Sequence, residues 1–154
     1  MPYTHDEMEK LLKKPNLKDC RFSEYSNWVI VNYITATANR ISTVINLKIR
    51  DLDFEEQTII LRTVKNKKQY TMPMSKYLKP ILIEYLSYRR GEPDDFLFCP
   101  ENNGKKKLTE GGLKTSIAKY NKRRGVNKTS CHIIRHYFAK QYVLKRWNSF
   151  ELEE

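Results

Sequence analysis

Apolar residues recur along this chain at two different periods, and the changes of period divide it into elements. Met8, Leu11 and Leu12 form a short helical stripe. Thr4 and Glu7 have the spacing of a capping box before it, and Pro15 and Asn16 end it. From about Ser23 to Ala38 the run carrying Trp28, Val31 and Ile34 has no charge after Glu24, which predicts a buried central helix. Asn39 to Asn46 predicts a turn and a short helix with Ile41, Val44 and Ile45 inward, leaving Arg40 at its start, beside the core. From Leu47 to Met74 the period becomes strand-like. Leu52 and Phe54 mark a short strand, Thr58–Val64 is rich in β-branched residues, and Gln69–Met74 pairs back after a turn at Lys65-Asn66-Lys67-Lys68. Tyr77–Arg90 returns to helical spacing with Leu78, Ile81, Leu82, Tyr85 and Leu86. After a loop containing Gly91 and Pro93, Phe96–Phe98 reads as a short buried segment. Thr109 then opens a helix that ends near Gly125, with Leu113, Ile117 and Tyr120 facing inward.

These elements predict one α+β domain over residues 1–154, mainly helical, with a small three-stranded antiparallel sheet. At 154 residues and 40% hydrophobic content the chain can bury a real core. Asn148-Ser149-Phe150-Glu151 looks like a helix start, and one turn is not stable alone, so the domain is expected to be incomplete at its C-terminus. The polar N-terminus and short apolar runs predict neither signal peptide nor membrane span. Cys20, Cys99 and Cys131 are too few and too scattered for a disulfide framework, which suggests reduced thiols and a cytoplasmic protein.

Charge changes the picture. The net charge of +11 points to an acidic partner, nucleic acid first. From Gly104 to Arg146 there are 13 Lys or Arg and one acidic residue, Glu110, so this segment carries +12 and the remainder −1. A solubilising surface would mix the signs; this asymmetry suits a surface that follows phosphates. Lys114, Lys119, Lys122, Arg123 and Arg124 lie off the inner face of the Thr109 helix and are available to phosphates. Lys67 and Lys68 join Lys65 at the hairpin tip, either as an exposed turn that blunts an edge or as a basic finger reaching into a groove. Membrane-surface binding is the weaker explanation, because the basic segment is not one helix with a broad apolar face.

The candidate chemistry lies in Cys131-His132-Ile133-Ile134-Arg135-His136-Tyr137-Phe138-Ala139. On a helix, His132, Arg135, His136, Ala139 and Lys140 share one face, while Ile133, Ile134, Tyr137 and Phe138 largely take the other. Arg supplies a planar donor fork to phosphate, and His can move a proton near neutral pH. A metal-dependent nuclease is the first rival, since His132 and His136 have i, i+4 ligand spacing. Ile133 stands where the glutamate of His-Glu-x-x-His would be, so no metal site is assigned.

Three segments, in order, resemble the catalytic domain of tyrosine recombinases, the phage integrases and their relatives. Asn39-Arg40-Ile41-Ser42-Thr43-Val44-Ile45-Asn46-Leu47 resembles the family's Arg-[Ile/Val]-Ser-Glu-x-x-x-Leu block, with Thr43 where Glu is usual. Lys65 to Ser75 is similar to its lysine-bearing hairpin leading into a Val-Pro-Leu strand. His132 to Ala139 is similar to its His-x-Leu-Arg-His-[Thr/Ser]-Phe-Ala block. The resemblance implies the family's fold and site-specific recombination or integration of DNA. A tyrosine attacks the scissile phosphodiester, leaving a 3′-phosphotyrosyl bond and needing no cofactor. It implies that Arg40 and Arg135 hold the non-bridging oxygens, that Lys65 protonates the leaving 5′-oxygen, and that His132 is a general acid/base. His136 and Lys140 are placed with the DNA-binding residues Lys67, Lys68, Lys114, Lys122, Arg123 and Arg124. Tyr137 and Tyr142 lack the nucleophile's spacing, so no nucleophile is assigned and the fragment alone is expected to be inactive. The implied partner is double-stranded DNA, with the parent a tetramer on it, the fragment able to be monomeric, and the source bacterial or phage. A non-catalytic DNA-binding protein on the same fold is the alternative.

Overall fold

The computed structural model describes residues 3–62 and 68–127. The first helix, α1 (His5–Leu12), starts as its sequence dictates. Glu7 N donates to Thr4 Oγ1 at 3.1 Å while Thr4 N donates to Glu7 Oε1 at 2.9 Å. Such a reciprocal cap contributes about 1 kcal/mol. Met8 and Leu11 turn inward from it.

The molecule is built around α2 (Phe22–Thr37), in which every residue from Tyr25 to Ile34 is buried. A helix buried on all sides needs neighbours on all sides, and α1, α4 (Leu78–Arg89) and α5 (Glu110–Arg123) pack against it. Its polar residues are bonded locally or to a neighbour: Asn32 Nδ2 donates to Trp28 O, and Asn27 Nδ2 to Ser116 Oγ on α5. Tyr33, Tyr85 and Phe98 fill the centre, the last two with ring centroids 5.4 Å apart.

The sheet has the order β1 (Leu52–Asp53), β2 (Thr58–Arg62), β3 (Gln69–Pro73), both pairings antiparallel. Leu52 stands opposite Ile59, and Ile59 opposite Met72. Fully buried Ile59 ties the sheet to the core, whereas most of β3 is exposed.

The strand-like pattern begins later than the sequence suggests. Lys48 makes one isolated bridge to Phe96, and Ile49–Asp51 is a 3-10 turn. The Asp51 carboxylate accepts from Lys48 N at 2.9 Å, closing that turn. Phe54 falls in the β1–β2 turn, packed against the core from outside the strand. The loop after α4 is pinned from within: Arg89 Nη2 donates to Phe96 O at 2.9 Å and to Gly104 O at 2.6 Å. Gly91 lies at φ +101°, and a Cβ there would meet Ile49 Cδ1 at 3.1 Å, so this turn needs glycine.

Candidate nucleic-acid interface

Arg40 sits where the sequence places it, at the N-cap position of α3 (Ile41–Asn46). The backbone on both sides of it is held. On the far side, Thr43 N and Val44 N both donate to Arg40 O at 3.0 Å. On the near side, α2 ends with Ala38 in the left-handed region (φ 58°), its N–H bonded to Ile34 O at 2.8 Å. The Arg40 side chain is exposed, and among the described residues no carboxylate pairs with it. Short α3 packs against both β2 and α5, so Arg40 leads into an element held by two neighbours.

The β2–β3 hairpin is anchored at its base. Arg62, the last residue of β2, brings Nη2 to 2.8 Å from Asp51 Oδ1, whose side chain is 1% exposed. That oxygen receives no aligned hydrogen bond among the described residues, so the link is charge attraction more than a directed bond. Lys68, just before β3, is exposed. Lys65 and Lys67 lie outside the described residues.

On α5, Lys114, Lys119 and Lys122 are exposed on the face away from Leu113, Ile117 and Tyr120, as the spacing predicts. The helix opens with Thr109 Oγ1 accepting from Gly112 N at 3.0 Å. Its other end departs from expectation. Arg124 is not presented to a ligand: Nη1 donates to Lys10 O at 3.0 Å and Lys13 O at 2.6 Å, satisfying the C-terminal carbonyls of α1. Its guanidinium carbon lies 4.3 Å from the Tyr120 ring centroid, and Nη2 lies 3.4 Å from Glu24 Oε1. Arg123 bonds Glu24 Oε2 at 2.6 Å but stays 55% exposed. The cause is the carboxylate of Glu24, 99 and 100 residues away in sequence, which spacing cannot reveal. Arg124 is thus a packing residue, and Arg123 is a shared one.

Two lysines escaped the sequence reading. Lys48 and Lys107 place their ammonium groups 5.9 and 5.8 Å from the Phe96 ring centroid, and Lys107 also donates to Asn46 Oδ1 at the end of α3. Both sit at the C-terminal end of α3, Lys48 two residues beyond Asn46 and Lys107 on the Asn46 side chain. Nothing in the hydropathy pattern marks them. His132, Arg135, His136 and Lys140 lie outside the described residues, so their meeting with Arg40 remains an expectation from sequence. Among the described residues no group of three His, Cys, Asp or Glu is placed to hold a metal ion, and no helix is long and apolar enough to cross a membrane.

The profile of the phage integrase family matches residues 3–154. The chain is 31% identical over 144 residues to the tyrosine recombinase XerA of Pyrococcus horikoshii, covering 93% of this chain and 47% of that protein. It is 28% identical over 142 residues to the tyrosine recombinase XerC of Anoxybacillus flavithermus, covering 87% and 46%. This sequence therefore spans about half the length of the curated relatives it matches. The crystal structure of XerA recombinase superposes with a TM-score of 0.72 at 24% identity, covering 93% of this chain and 50% of that one. The XerH site-specific recombinase bound to its difH substrate, in a pre-cleavage complex, gives 0.71 at 24%, covering 94% and 43%. The three sequence blocks, the α2–α3 junction carrying Arg40 and the three-stranded hairpin sheet thus have one explanation: the chain belongs to the phage integrase family and has the fold of a tyrosine recombinase catalytic domain.

Proposed function

We propose that the protein to which this chain belongs breaks and rejoins double-stranded DNA at specific sites through a phosphotyrosyl intermediate. In this reading Arg40, Lys65, His132 and Arg135 surround the scissile phosphate. The observation that carries it is Arg40: a permanently charged fork, exposed, held by backbone bonds on both sides and without a carboxylate partner among the described residues. An arginine left that way suits an anionic ligand, and a phosphate undergoing displacement gathers charge on the oxygens that such a fork can bind bidentately.

Each role follows from chemistry the residue type can perform. Arg40 and Arg135 stabilise the charge on the non-bridging oxygens. Lys65, beside two cationic arginines, would have its proton loosened enough to protonate the departing 5′-oxygen. His132 accepts the proton of the attacking tyrosine. Tyr137 and Tyr142 lack the spacing expected of that nucleophile, so neither is given the role. Lys68, Lys114 and Lys122, joined by Lys67, His136 and Lys140 and by Arg123 where it is not taken by Glu24, line the DNA backbone, and Arg124 leaves that set. Assembly as a tetramer on DNA in the cytoplasm of a bacterium, or of a cell infected by a phage, completes the proposal.

The test is strand cleavage by the whole recombinase, read as covalent protein–DNA product. Arg40→Ala and Arg135→Ala should each lower the rate by about 10²–10³, the usual cost of one oxyanion donor, with the melting temperature preserved. Wild-type rates in either variant overturn the assignment. A whole protein that binds DNA and never forms the covalent product would favour a non-catalytic DNA-binding role.

A further inference from the structure

We propose that Asn39 is a positioning residue for Arg40, tying the turn that carries it to both the core of α2 and the strand leaving the hairpin. The inference rests on the reading of Arg40 as a phosphate ligand. Asn39 Oδ1 accepts from the hydroxyl of Tyr33 at 2.7 Å, and its backbone N–H donates to Thr37 Oγ1 at 3.2 Å. Its Nδ2 points at Met72 Sδ on β3, 3.7 Å away. One short side chain thus joins α2 to β3, and its backbone N–H adds a second bond to α2, directly before Arg40.

The anchor itself is rigid. Tyr33 is fully buried, with its ring set edge-on to Phe98 at 6.2 Å. Burial raises the pKa of its hydroxyl far above the ordinary range, and the neighbouring charge of Asp51 raises it further, so it remains a donor at every working pH. Thr37 is held in turn, its hydroxyl donating to Tyr33 O at 2.8 Å. With Thr43 and Val44 holding Arg40 O, the Arg40 Cα is fixed from both directions, and only the side chain is left to meet a ligand. A turn sewn to β3 also keeps Arg40 in register with the hairpin. That matters because a displacement of about 1 Å at a reacting centre can cost on the order of 10² in rate.

Binding of this chain to a 30-base-pair duplex as a function of salt separates positioning from plain structure. Losing one phosphate contact lowers the slope of log affinity against log salt by about 1, which is the effect expected of Arg40→Ala. Asn39→Leu removes the amide at similar volume, and Tyr33→Phe removes only the hydroxyl. Both should lower the slope by most of that amount, and neither should lower it further when combined with Arg40→Ala. Unchanged slopes, or effects that add to that of Arg40→Ala, overturn the inference while leaving the ligand reading intact. If Arg40→Ala itself leaves the slope unchanged, the ligand reading fails and takes the inference with it. Should Asn39→Leu lose its cooperative melting, Tyr33→Phe decides alone, since it leaves the buried ring in place.

Discussion

Two corners of this molecule each present an arginine at a helix end, and they use it in opposite ways. At the α1–α2–α5 corner Arg124 has 14% of its side chain exposed and is surrounded by two carbonyls, a carboxylate and a tyrosine face. At the α2–α3 turn Arg40 is exposed, and the hydrogen bonds fix only its backbone. In the sequence both are basic residues near a helix terminus. The difference is whether the fold supplies the partners, because a cation with its acceptors already in place gains little from a phosphate. Position in a charge-rich segment therefore does not decide which cations the fold leaves without acceptors; the partners supplied by distant elements do.

Removing Arg124 should have the largest effect. Arg124→Met keeps the stem and loses the guanidinium, leaving the carbonyls of Lys10 and Lys13 without their donor. Hydrogen bonds from a charged donor contribute about 1.5–3 kcal/mol each and the stacking on Tyr120 about 0.5–2, with partial compensation by water at this partly open corner. A loss of about 2–4 kcal/mol in denaturant unfolding is expected, with the salt slope of DNA binding unchanged. Arg40→Ala should do the reverse, costing under about 0.5 kcal/mol of stability, as exposed substitutions usually do. If Arg124→Met lowers the slope as Arg40→Ala does, the two corners do not differ in function.

Next in size is the pair that anchors the hairpin. Asp51→Asn keeps an acceptor for Lys48 N and removes the charge that Arg62 faces. Breaking a fully buried pair costs about 3–5 kcal/mol; Arg62 has 28% of its side chain exposed, which reduces the expected loss to about 1–2 kcal/mol. Asp51→Asn with wild-type stability would mean that the hairpin base is held by strand pairing alone.

Much of this architecture is legible in the sequence because it depends on neighbours in sequence. The Thr4–Glu7 cap, the buried run of α2, the hairpin around Lys65–Lys68 and the Thr109 start of α5 all follow from residues within a few positions of one another. The Ile49–Asp51 turn escaped because the strand-like period from Leu47 runs across it, and no periodicity records a carboxylate closing on a backbone N–H three residues before it. The fate of Arg124 escaped for a different reason. Its partners come from α1 and from Glu24, at separations above 99 residues, and no local pattern records them. Asn39 shows both limits together: Thr37 is a neighbour, whereas Met72 is 33 positions away.

The α2–α3 turn itself offers a smaller effect. Ala38 holds φ 58° and ψ 22°, where a Cβ crowds the following carbonyl at a cost of about 1–2 kcal/mol. Glycine removes that strain, and its larger unfolded-state entropy returns roughly 0.5–1. Ala38→Gly should therefore stabilise the protein by about 0.5–1 kcal/mol in thermal unfolding. DNA affinity should not rise with it, because the substitution keeps the Ala38 N–H bond to Ile34 O along with the Asn39 and α3 bonds that set where Arg40 stands.

The smallest effect separates two adjacent lysines, Lys105 and Lys106, that repeat the comparison on one loop. Lys105 Nζ lies 2.9 Å from Asp95 Oδ2, whereas Lys106 is exposed and without a side-chain partner among the described residues. The backbone N–H of Glu92, and after it Lys105, hold the Asp95 carboxyl below its ordinary value of 3.8. A depressed carboxyl favours folding when ionised, so its contribution is present above pH 3.8 and is lost as pH falls through the lower folded value. Asp95→Asn should then be slightly less stable than wild type at neutral pH, and the gap should close below that point. It also releases Lys105, which ought to behave afterwards like Lys106 and steepen the salt dependence of DNA binding. A gap that widens on acidification would reverse the sign of this linkage, and an unchanged slope would show that the ion pair was not what kept Lys105 from phosphate.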